Sequence, residues 1–174
     1  AMIAYEPGVL VTYEPGLTGV SLLVAIAGSG AALLLAAQRL GVAAALGGLL
    51  FGLSVASMHF IGMAAFAVDA VVHWSSGYVV ASVAGSLVFG ALSFQLADKA
   101  TDTRGRWLAI GSMVLGIVIL HFTAMSAMTI LPFAPLDGAL TGNDAHQAIA
   151  IGVAGVGLVV LGAGAVSYAL GRPA

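Results

Sequence analysis

Hydrophobic residues run along this chain in long blocks instead of alternating with polar ones. Five blocks stand out, at roughly 17–37, 43–66, 78–97, 107–130 and 146–170. Each covers about 20 to 25 residues, and a helix needs about 20 to cross the hydrocarbon of a bilayer. The pattern predicts an all-α, polytopic bundle of five transmembrane helices. The linking segments are short, apart from Leu131 to Ala145, where Pro132, Pro135, Asp137, Gly138, Gly142 and Asn143 are turn formers. Ala1 to Gly16 holds Glu6, Glu14, Pro7, Pro15, Tyr5 and Tyr13. It lacks a cationic region followed by an apolar core, so it is no signal peptide. It reads as an interfacial loop whose tyrosines suit the headgroup layer.

Composition makes the membrane reading firm. Of 174 residues, 61% are hydrophobic and 7% charged, with a mean hydropathy of +1.12. Soluble domains carry about 25% charged residues. The chain has no Cys, which removes disulfides, thiolate zinc sites and iron–sulfur clusters. A net charge of −2 with no basic patch argues against a nucleic-acid partner.

The cations set an orientation. Arg39 follows the first block, Lys99, Arg104 and Arg106 follow the third, and Arg172 follows the fifth. All lie on one side, which the positive-inside rule makes cytoplasmic. Glu6, Glu14, Asp69, Asp137 and Asp144 fall on the other. The expected placement is a multi-pass membrane protein with residue 1 outside and residue 174 inside.

An internal repeat is visible. Ser21 and Ser82 open corresponding blocks, and Tyr13 and Trp74 precede them at a similar distance. His59 and His121 close the units. Each unit is an inward and an outward helix, and the fifth block begins a third unit. Ala1-Met2-Ile3-Ala4-Tyr5 is similar to Ala65-Phe66-Ala67-Val68-Asp69, and to Ala127-Met128 after the second His. Residue 1 therefore reads as the tail of an earlier repeat.

The repeat carries the candidate chemistry. Met58-His59-Phe60-Ile61-Gly62-Met63 returns as Leu120-His121-Phe122-Thr123-Ala124-Met125. Both copies place His and Met four residues apart, on one helix face. On a helical wheel Val55, His59, Gly62, Met63 and Phe66 share a face, as do Ile117, His121, Met125 and Met128. A lone membrane His is often just hydrogen-bonded to a neighbouring helix, and Met is often filler. Two alike, at similar depth, favour a ligand site. Imidazole with thioether selects copper, especially Cu(I); zinc and a haem held by both His remain alternatives. The metal candidates are Met58, His59, Met63, His121, Met125 and Met128. Both His are expected to project into one internal space near the outer third of the bundle.

Other features read more plainly. His73 and His146 fall at the outer interface as solvated or capping residues, and Asp98 to Arg106 as a solvated inner loop. Gly48-x-x-x-Gly52 and Ser112-x-x-x-Gly116 mark close helix contacts. No Ser/His/Asp grouping, phosphate loop or intramembrane carboxylate can be built, so the chain reads as a non-enzyme and not as an ion pump.

The repeated Met-His-aromatic-x-Gly-Met resembles the MHYT family of bacterial membrane sensor domains, over essentially the whole chain. Met58 to Met63 fits closely. The second copy has Leu120 for the leading Met and Ala124 for Gly, and Phe60 and Phe122 stand where the motif has Tyr. The resemblance implies seven spans and three motif copies, of which this chain would lack the first two helices and first motif. It implies a bacterial inner membrane, copper near the outer face, and sensing of oxygen, carbon monoxide or nitric oxide. Fusion to cyclic-di-GMP or histidine-kinase output domains is part of the same expectation, and a homodimer is compatible with it. Outside that class stand an electron-transfer or haem-binding subunit of a membrane oxidoreductase and a purely structural assembly subunit.

Overall fold

A computed structural model describes residues 11–38, 42–68 and 70–132. The expected fifth span, His146, Arg39 and Arg172 lie outside the described residues. The elements run β1 (Val11–Tyr13), α1 (Pro15–Ala36), α2 (Ala43–Ala64), β2 (Phe66–Val68), β3 (Ala70–Trp74), α3 (Ser76–Lys99), α4 (Thr103–Ser126) and β4 (Met128–Pro132). The four helices have the length and apolarity to cross a membrane. The chain is a membrane helix bundle.

Local chemistry sets the helix starts. The Glu14 carboxylate accepts from the Gly16 and Leu17 N–H groups at 3.1 and 2.8 Å, with Pro15 in the first turn. Asp102 accepts from the Gly105 N–H at 2.9 Å, which starts α4 at Thr103 instead of the expected 107. The expected ends also move. The segment expected as helix to residue 130 stops at Ser126, because Met128–Pro132 leaves to form a strand. The segment expected to 66 stops at Ala64 for the same reason.

The strands were not expected. β1 pairs antiparallel with β2, with Tyr13 opposite Phe66. β3 pairs antiparallel with β4, with Trp74 opposite Met128 and His73 opposite Thr129. Each pairing ties the start of one helix to the end of the next. The Glu14 N–H donates to the Ala65 carbonyl at 2.9 Å, and the Ser75 N–H to the Ala127 carbonyl at 2.8 Å. Both bonds satisfy backbone groups that a helix end leaves open. The repeat is therefore strand–helix–helix–strand, closed on itself at the end that carries the His motifs.

Small residues bring the helices together. α2 packs on α1 and α3, and α3 on α4. At the α2–α3 crossing, a Cβ on Gly48 would run into the Gly90 carbonyl and one on Gly52 into the Ser86 carbonyl. Serines bridge the same seams. Ser86 Oγ donates to the Gly52 carbonyl at 2.9 Å, Ser93 Oγ to Ala109 at 2.8 Å and Ser112 Oγ to Phe89 at 3.2 Å. Ser112 and Gly116 both meet Phe89, so both small-residue patterns mark contacts. Large apolar side chains point outward instead: Leu34 is 74% exposed and Leu23 67%. Small inside and large outside is the inverse of a soluble core, and it fits a lipid solvent.

Candidate metal centre

His59 and His121 stand at one level because each lies five residues before the last residue of its helix, Ala64 and Ser126. α2 and α4 point the same way, since each is the second helix of its unit. Phe51, Val55, Met113 and Ile117 from these helices, with Ser86 and Gly90 of α3, surround a narrow void below them. Val55 and Ile117 lie one turn before the two His, so the seam leads up to the imidazoles. There the rings meet edge to face, with centroids 5.3 Å apart and planes 82° apart. The two motifs thus converge within the bundle.

Both Nε2 atoms are buried, and neither has a hydrogen-bond partner among the described residues. That arrangement is costly. A buried polar atom without a partner loses about 1–3 kcal/mol, and here two occur side by side. The simple core-histidine reading expects each ring to bond a neighbouring helix. Neither does so through Nε2. Two unpartnered imidazole nitrogens on rings in contact suit a cation that accepts lone pairs from both.

The methionines divide. Met63 is 3% exposed and Met128 8%. Both line a cavity of about 410 Å³ with Phe60, Ala64, Val72 and Trp74. Met58 and Met125 are half-buried. Met58 has a backbone role: its carbonyl accepts from Ser21 Oγ at 3.0 Å. Gly62 faces Ser21 Oγ, leaving 3.5 Å where a Cβ would stand. Ser21 therefore touches the helical turn that carries both His59 and Met63. Its repeat counterpart, Ser82, is fully buried but donates to Val79 of its own helix at 2.8 Å.

No group of three or more His, Asp or Glu gathers among the described residues. Among the described residues, the donors near the pair are the two imidazoles and the thioethers of the motifs. His73 is exposed on β3, away from the pair's helices, as expected for a solvated residue. Trp74, Val72 and Phe60 were not singled out as site residues. Trp74 and Phe60 meet edge-on at 5.9 Å. The signal that could have found them is the alternation of Val72 and Trp74 on one face of a strand, too short to separate from the helical blocks beside it.

Comparison with known proteins gives the same family as the motifs. The chain matches the MHYT model, described as a bacterial signalling protein N-terminal repeat, over residues 1–49 and 52–110. An uncharacterised signalling protein of Caulobacter vibrioides is 37% identical over 172 residues, 96% of this chain and 21% of that protein. The cyclic di-GMP phosphodiesterase NbdA of Pseudomonas aeruginosa is 32% identical over 141 residues, 75% of this chain and 18% of that protein. The chain thus spans about a fifth of the length of these relatives. No solved structure matches. With two copies of the repeat in both sequence and fold, the chain belongs to the MHYT family of bacterial membrane signalling domains.

Proposed function

We propose that this domain binds a copper ion between its two repeats and senses a diatomic gas, oxygen, carbon monoxide or nitric oxide, to control a cytoplasmic output. One observation carries the reading: two half-buried imidazoles in contact, each with a buried and unpartnered Nε2 among the described residues. His59 and His121 would hold the ion, with Met63 and Met125 one helical turn beyond them as sulfur donors, and Met58 and Met128 as auxiliary ones.

Charge favours Cu(I). The cost of burying an ion grows with the square of its charge, and among the described residues no carboxylate joins the two His to offset a divalent one. Neutral nitrogen and thioether donors suit a soft monovalent cation. Contact between the rings favours a single ion over a haem, whose macrocycle would have to part them. Copper would supply an open coordination position for the gas. The chain's part is to hold the nitrogens in place, keep water out and couple the two repeats.

The output is cyclic-di-GMP signalling, a reading drawn from the phosphodiesterase relative and from the length those relatives have beyond the matched region. Copper analysis tests the metal. Protein purified with its lipids is expected to hold about one copper per chain, and His59→Ala with His121→Ala to hold almost none. Equal copper in both would end the reading.

A further inference from the structure

We propose that the cavity at the junction of the two repeats is a binding site for small uncharged apolar molecules, and that it supplies the gas ligand to the His pair. The supply role rests on the metal reading above. The cavity itself does not.

The walls come from both units. Phe60, Met63 and Ala64 belong to the end of α2, in the first repeat. Val72, Trp74 and Met128 come from the paired strands β3 and β4 of the second. Val72 and Trp74 alternate along β3 and so share a face, and Met128 stands opposite Trp74 in register. The strand pair thus forms one wall of a partly open space. Among the described residues its lining is aromatic, aliphatic and thioether, with no charged side chain. Water needs two to four polar partners to settle, and a mostly apolar lining offers few of them.

Size decides what can enter. The volume is about 410 Å³. Dry apolar cavities of about 150 Å³ already take xenon or benzene. The space is too large to grip a diatomic by shape. It sorts by polarity, admitting uncharged apolar molecules and refusing ions, and leaves finer discrimination to the metal. The partition toward the His pair is thin. Phe60 follows His59 in the chain, and its ring meets the imidazole edge-on at 5.5 Å. Met63 lies one turn beyond His59 on the same face and also lines the cavity. A molecule in the cavity is thus one side chain away from His59.

Xenon is the direct probe, since it needs no metal. Xenon-129 NMR on the full domain in nanodiscs should show saturable binding. Ala64→Phe fills the space from the helix side and should abolish it. Val72→Phe fills it from strand β3 and gives a second, independent variant. On Cu(I)-loaded protein, the association rate of carbon monoxide per bound copper should fall at least tenfold in either variant. Absence of saturable xenon binding in the wild type, as when a lipid chain fills the space, would overturn the proposal. So would an unchanged carbon monoxide rate in a variant that has lost xenon. A wild type that takes xenon but no copper would end the metal reading, and the supply role with it, while leaving the apolar site standing.

Discussion

At the residue scale the two repeats are not equal. Ser21 spans from α1 to the Met58 carbonyl, while Ser82, its counterpart, turns back on its own helix. The Met58 carbonyl belongs to the turn bearing His59 and Met63. Loss of one such hydrogen bond is worth about 1 kcal/mol, or roughly a fivefold change in an equilibrium. Ser21→Ala should therefore weaken Cu(I) retention about fivefold against a chromophoric chelator. Ser82→Ala should change it less than twofold, although Ser82 is the more buried of the pair. Equal losses would show that the hydroxyls act only as packing. Four-residue spacing on a helix, which puts side chains on one face, made His59 with Met63 and His121 with Met125 legible as candidates, with Met58 and Met128 as auxiliary ones. It could not rank the methionines. Which sulfur faces the repeat junction depends on the β3–β4 pairing, and Met128 reaches it from a strand, not from the helix face first assigned to it.

At the element scale the helices were readable and the strands were not. Apolar blocks about 20 residues long announce themselves by length alone. Strands of three to five residues, made from the same apolar residues, merge into the blocks they border. The glycines separate by what stands next to them. A Cβ on Gly48 would meet backbone atoms of Gly90 and Ala91, which cannot turn aside, whereas one on Gly111 meets nothing within 4 Å. Gly48→Ala should thus cost about 1–3 kcal/mol through overpacking. Gly111→Ala, in the middle of α4, should be neutral or stabilising by up to about 1 kcal/mol. Thermal unfolding in one detergent compares them, and a similar midpoint for both would refute the close α2–α3 crossing.

At the scale of the whole molecule, the strand pairs and the His pair share one end of the bundle, and the basic residues among those described sit at the other. Lys99, Arg104 and Arg106 are exposed there, beside the turn between α3 and α4. Asp98 and Asp102 are exposed at the same end, but acidic residues contribute little to orientation. The cation bias predicts that the paired-strand end, with the candidate centre, lies on the extracytoplasmic side. The chain's lack of Cys makes this directly measurable. Thr129 is exposed on β4, and Thr101 is exposed between α3 and α4. In intact cells an impermeant maleimide should label Thr129→Cys and spare Thr101→Cys, which should react only after permeabilisation. The reverse pattern would turn the bundle over and place the His pair near the cytoplasm. Ligand access would then have to be argued from the cytoplasmic side, although the contact between His59 and His121 would stand unchanged.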